Sequence, residues 1–288
     1  MNAPRIILSS AAVMNDGMDQ PEVERQLSVA ERLWNNAGLR KGLILIVLAL
    51  IWEAYARYLD DALLFPTLSD TLKALFDHII DGSLFARAWT SLQVLLLGYA
   101  IGIALAGILT ALAINTRLGT DLLETLTAMF NPLPAIALLP LALIWFGLGA
   151  ASLIFVLVHS VMWAVALNTH AGFLAVSPTL RMVGRNYGLR GLPYVVKILI
   201  PAAFPSILTG LKVAWAFAWR TLIAAELVFG VASGKGGLGW FIYESRTVLD
   251  IPAVFAGLLT VILIGLFVEN LVFRLIERRT VRTWGLQS

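Results

Sequence analysis

Long stretches without Asp, Glu, Lys or Arg alternate along this chain with short charged segments. A helix needs about 20 mostly apolar residues to cross a bilayer core. Residues 88–116 carry no charge and are bracketed by Arg87 and Arg117. Residues 125–180 are equally clean and long enough for two spans. The turn between them is expected at Phe146-Gly147-Leu148-Gly149, where glycine tolerates tight backbone geometry. Residues 251–268 form another clean run. A first span lies at 42–56 despite Glu53, and a further one at 206–230 despite Lys212, Arg220 and Glu226. The pattern predicts six helices, at about 42–58, 86–114, 123–147, 151–175, 205–231 and 252–276. Long apolar runs read as helices because a backbone in hydrocarbon must satisfy its own hydrogen bonds. The fold class is therefore all-α, a polytopic membrane protein.

Composition strengthens this reading. Hydrophobic residues make up 59% of the 288 and charged residues only 14%, against roughly 25% charged in soluble domains. Mean hydropathy is +0.84. There is no cysteine, which excludes disulfides, iron–sulfur clusters, thiolate zinc sites and Cys nucleophiles. Three histidines, His78, His159 and His170, are too few for a dedicated metal enzyme.

Placement of the basic residues sets the expected orientation. With the N-terminus in the cytoplasm, the inside segments hold Arg5, Arg25, Arg32, Arg40, Lys41, Arg117, Arg181, Arg185, Arg190, Lys197, Arg274, Arg278, Arg279 and Arg282. The outside segments hold Arg57, Lys73, Arg87, Lys235 and Arg246. Both termini are thus expected inside, with the acidic loop 59–84 outside. Residues 1–41 read as a cytoplasmic tail and not as a signal peptide. Either this tail is solvated, or residues 20–35 form an interfacial helix with Asp19 as N-cap and Pro21 in its first turn. The span-bearing domain covers 42–276, and 277–288 form a second cytoplasmic tail.

The inside segment from about 176 to 204 is the long one. It contains Gly188, Gly191, Pro193 and Pro201, with Arg181, Arg185, Arg190 and Lys197 spread through it. One short helix is expected to end near Gly188 and another to run over 192–199 before a proline stop. Composition leaves two readings open, a docking site for a cytoplasmic partner or a basic loop against anionic headgroups.

Spacing adds a resemblance. From Arg181 the chain reads RMVGRNYGLRGLPYVVKILIPAAFPSILTGL, with Pro201 thirteen residues after Gly188. Together with LPLALIWFGLG (139–149), Asn168-Thr169, Pro205, Gly210, Ala224-Ala225-Glu226 and GGLGWFIYESR (236–246), this resembles the permease subunits of ABC importers over roughly residues 60–275. The nitrate/sulfonate/taurine branch is the nearest in pattern. Where the family has Glu-Ala-Ala, this chain has Met182-Val183-Gly184, so the acidic anchor is missing, and Arg181 or Arg185 stands close by. Ala164 occupies a position where relatives often have proline, which predicts a straighter helix.

The resemblance implies a type I ABC importer permease. It would form a homodimer with a passage between the two copies, two cytoplasmic ATPase subunits below and an extracytoplasmic solute-binding protein above, in the bacterial inner membrane. Arg185, Tyr187, Gly188, Leu189, Arg190, Gly191 and Pro201 would couple to the ATPase. ATP and magnesium would belong to that partner, with no cofactor in this chain and no nucleic acid. Gly230-Val231-Ala232-Ser233-Gly234-Lys235-Gly236 is not a phosphate loop. Three residues separate Gly230 from Gly234 where four are needed, and Gly236 stands where a Ser or Thr should follow the lysine. With no constellation of catalytic side chains, the chain is not expected to be an enzyme. An ion-coupled secondary transporter is the alternative. It would show two repeated halves and its own ion site, and neither is visible.

On the fifth span, Thr209, Lys212, Trp215, Trp219, Arg220, Ile223 and Glu226 share one broad helical face. A mid-bilayer charge costs roughly 2.5–3.5 kcal/mol on insertion scales, so this face should avoid lipid. Either it lines the translocation pathway, or Arg220 pairs with Glu226 or Glu53; Lys212 is expected to snorkel to the cytoplasmic headgroups. His159 and Trp163, four apart on the fourth span, are further candidates for the lining. Trp145 reads as an interfacial anchor. Asn131, Pro132 and Pro134 are expected to kink the third span. The carried solute would be a small anion of the sulfonate, taurine, nitrate or carboxylate class.

Overall fold

A computed structural model describes residues 35–229 and 236–280; the tail helix expected at 20–35, the glycine-rich run after Phe229 and the last residues lie outside them. The described residues form helices and no strand. Helix α1 is Ala37–Leu59, α2 Leu68–Ile80, α3 Ser83–Asn115, α4 Arg117–Phe130, α5 Leu139–Phe146 and α6 Ala150–Leu174. There follow α7 Pro178–Asn186, α8 Gly191–Tyr194, α9 Ile200–Phe229, α10 Leu238–Thr247, α11 Ile251–Phe267 and α12 Arg274–Arg279. Among the described residues five segments are long and apolar enough to cross a membrane; α4 and α5, bent by 87°, make a sixth if counted as one broken span.

That break corrects the third span, expected as one helix over 123–147. The reason is local. Pro132 and Pro134 each remove a backbone donor, and each disfavours helical geometry in the residue before it. Pro134 is extended and a single 3-10 turn, Ala135–Leu138, restarts the helix. Gly147, at φ +73°, then ends α5. Ser152 secures this turn by donating to the Gly147 and Ala142 carbonyls.

Two other expectations are revised. Half of segment 59–84 is helix α2, capped by Thr67, whose hydroxyl accepts from the Asp70 amide at 3.0 Å. Pro201 does not stop a helix. Residues 195–199 form a wide π turn, Val195–Leu199, that runs from α8 into α9, so the fifth span extends over Gly191–Val228. A π turn shifts the hydrogen-bond ladder, so the proline's missing N–H breaks nothing further on. A second π turn, Val268–Phe273, links α11 to α12.

α3, α6 and α9 form the centre. Without a hydrophobic drive between helices in lipid, close packing depends on small residues. A Cβ on Gly98 would stand 2.7 Å from Leu157 Cβ, one on Gly102 2.7 Å from Val161 Cβ, and one on Gly210 2.7 Å from Asn168 Cβ. We expect Gly102→Val to force α3 and α6 apart and destabilise the protein by about 1–3 kcal/mol. A thermal-unfolding series in detergent reads this, with Gly107→Ala, where nothing lies within 4 Å, as the neutral control.

Candidate functional site

A cavity of about 350 Å³ opens where the Asn131–Pro134 elbow meets α6 and α9. α9 contributes Phe217, Arg220, Thr221 and Ala224, spaced i, i+3, i+4, i+7 on one face. α6 contributes His159, Ser160 and Trp163. The Ser160 and Thr221 hydroxyls stand 3.5 Å apart and link the two helices.

The chemistry of the lining is one-sided. Arg220 Nε donates to the Ala216 carbonyl at 2.9 Å, and the guanidinium lies 5.4 Å from the centre of the Phe217 ring. Its two terminal nitrogens meet no acceptor among the described residues. Neither ring nitrogen of His159 has a hydrogen-bond partner there, nor has Trp163 Nε1. No carboxylate lines the cavity. Rings hold these groups in place: Phe130 stacks on Trp163 at 5.5 Å, and His159 stands edge-on to both, at 6.3 Å from Phe130 and 6.2 Å from Trp163. An uncompensated guanidinium with neutral donors and ring walls suits an oxyanion, which it can hold bidentately.

The broad face expected on α9 divides in two. Trp215, Trp219 and Glu226 sit away from the cavity, on the side turned to the other helices. Trp219 Nε1 donates to the Val261 carbonyl at 3.2 Å, bracing α9 on α11. Trp215 stacks on Trp219 at 6.5 Å and meets Tyr99 edge-on at 5.6 Å. Glu226 is fully buried. Both its oxygens accept from Ser91 Oγ at 2.8 Å, and Oε2 accepts from the Gly239 amide at 2.9 Å. Ser91 in turn accepts from the Leu238 amide at 2.9 Å. Gly237 and Gly239 are required here, since a Cβ on either would come within 2.6 Å of Glu226. This knot ties α3, α9 and α10 together.

The alternative reading, a pairing of Arg220 with Glu226 or Glu53, is therefore not formed. Glu53 is held by Arg57 at 2.6 Å and by the Ser69 amide at 3.1 Å. Lys212 does not snorkel alone; it pairs with Glu277 at 2.6 Å. Phe217, Thr221 and Ala224 are the lining residues that the helical period around Arg220 could have supplied, whereas Ser160 and the elbow come from other elements and only the fold brings them there.

The basic segment shows why a glycine stands at 188. α7 ends in a Schellman turn: the Leu189 amide donates to the Gly184 carbonyl at 3.1 Å and the Gly188 amide to the Arg185 carbonyl at 2.9 Å. That turn needs a left-handed residue, and Gly188 has φ +71°. Gly191 is also left-handed, at φ +57°. Arg185, Tyr187, Arg190 and Pro201 are exposed and Leu189 is half-buried. Arg181 ties α7 to the end of α6, donating to the carbonyls of Val176 at 3.0 Å and Phe173 at 2.5 Å. A cation at a helix C-terminus also favours the helix dipole. α6 itself runs unbroken past Ala164.

Residues 91–282 match the family described as the inner membrane component of binding-protein-dependent transport systems. A putative ABC transporter permease protein of Methanocaldococcus jannaschii is 32% identical over 224 residues, covering 76% of this chain and 83% of that one. A putative aliphatic sulfonates transport permease protein of Bacillus subtilis is 29% identical over 250 residues, covering 85% and 88%. A crystal structure of an amino acid ABC transporter with histidines shares the fold at TM-score 0.53 and 18% identity, over 71% of this chain and 97% of that one.

Proposed function

The chain belongs to the inner membrane components of binding-protein-dependent transport systems, in the nitrate, sulfonate and taurine branch, and from that premise we propose that it passes a small organic anion along the Arg220 cavity. The observation that carries this reading is the free guanidinium in a cavity without a carboxylate. A mid-membrane arginine is costly, and an anion in transit is what would repay that cost here. The relative named for aliphatic sulfonates points to the same class.

In this reading the permease pairs with a second copy, receives solute from an extracytoplasmic binding protein and rests on two ATPase subunits, which hydrolyse ATP with magnesium. The Lys/Arg bias puts both termini and α7 inside. α7 and Gly188 then form the docking surface, and Arg181 passes its displacement to α6, which carries His159 and Trp163 of the cavity. Alternating access follows from rocking α6 and α9 between two packings. The ion-coupled carrier is not the family's mode.

The test is uptake of radiolabelled ethanesulfonate and taurine by liposomes holding permease, ATPase and binding protein. Accumulation should require internal ATP and persist when ion gradients are collapsed. Accumulation driven by an ion gradient without ATP would overturn the reading.

A further inference from the structure

A second cavity, of about 320 Å³, adjoins the first and shares Asn131 and Pro132 with it. Glu124, Thr127, Leu167 and His170 complete its polar and central lining. On α6, His159, Trp163, Leu167 and His170 follow at i, i+4, i+8 and i+11, which is one helical stripe. The two cavities therefore lie in sequence along α6, with the elbow between them.

Thr127 and His170 are each more than nine-tenths buried. Thr127 Oγ1 and His170 Nε2 have no hydrogen-bond partner among the described residues. Buried polar atoms are normally partnered, so two orphans lining one cavity point to a ligand. The charge, however, is reversed. The first cavity holds Arg220 and no carboxylate, whereas the second holds the exposed carboxylate of Glu124 and no Lys or Arg.

Resting on the anion-passage reading, we propose that the second cavity is a release station for the same anion. The Thr127 hydroxyl donates one hydrogen bond to the arriving oxyanion. His170 donates another, in the tautomer that carries its proton on Nε2. The hydroxyl and imidazole donors give the anion partners as it leaves Arg220. Glu124 repels it, so it is held weakly and departs. A passage must bind well enough to admit its solute and weakly enough to free it, and opposite charges at successive stations achieve both.

The chain has no cysteine, so single thiols can report on each station. In the full complex, Thr127→Cys is reacted with a negatively charged sulfonatoethyl thiosulfonate and with its positively charged trimethylammonium analogue, with and without ATP. Both should react in at least one nucleotide state, the cationic reagent the faster. Adding Glu124→Gln should raise the anionic-to-cationic rate ratio about tenfold. Glu124 is exposed, so that substitution leaves packing intact. A ratio unmoved by Glu124→Gln, or no reaction at Thr127→Cys in any state, overturns the release station. Ser160→Cys in the first cavity separates the two ideas: if it reacts while Thr127→Cys does not, only the second station falls, and if neither reacts, the passage itself falls.

Discussion

Arg220→Gln should lower uptake of the native anion at least about a hundredfold while the permease still inserts, dimerises and binds its ATPase. Two charge-assisted hydrogen bonds are lost, each about 1.5–3 kcal/mol, and every 1.4 kcal/mol is tenfold. Folding should survive because Arg220 is exposed and its one protein hydrogen bond goes to the carbonyl of its own helix. Arg220→Lys keeps the charge but not the planar fork, so uptake should recover only in part. Assembly is read by co-purification and uptake by labelled solute. A structural ion-pair role would give the opposite pattern, loss of assembly rescued by Glu226→Gln. Glu226 is already satisfied by Ser91 and Gly239, so no rescue is expected.

Gly188→Trp should abolish uptake while leaving ATP hydrolysis running, with the permease folded. No atom lies within 4 Å of a Cβ at Gly188, so the fold has room for a side chain. The left-handed backbone does not, at a cost of about 1–2 kcal/mol for an ordinary residue. The Schellman turn would open and the Tyr187–Gly191 surface would re-aim. Two variants separate backbone from bulk: Gly188→Asn, which tolerates φ > 0, should keep most uptake, and Gly188→Val, which does not, should lose it. ATPase activity and uptake are measured in parallel on the same liposomes. Normal coupling in Gly188→Trp would remove this segment from docking.

The spans were legible because charge-free runs are long and their ends carry arginine, acid or glycine. The elbow was legible as a kink from Asn131, Pro132 and Pro134, but not as an 87° break, since its angle depends on what α4 and α5 pack against. Gly188 was legible through spacing; the turn type supplies its cause. The division of the α9 face was not legible. Arg220 follows Trp219 by about 100° on a helical wheel, and periodicity alone lets both share a broad polar stripe. Which side turns inward is decided by partners far away in sequence, the Val261 carbonyl, Tyr99 and Ser91. The same holds for Lys212, whose carboxylate comes from Glu277. Side chains that look alike on a wheel thus part company according to long-range hydrogen bonds.

If the cavity beside Arg220 is a path for anions, a thiol placed there by Thr221→Cys in the assembled complex should register it. Thr221 lines the cavity one residue from Arg220. Its thiol should react with a negatively charged thiosulfonate at least about tenfold faster than with a positively charged one, as steering by one exposed cation allows. Transported solute should slow the reaction, and Arg220→Gln should erase the preference. A thiol that reacts with both reagents at equal rates, unaffected by Arg220→Gln, would contradict the account.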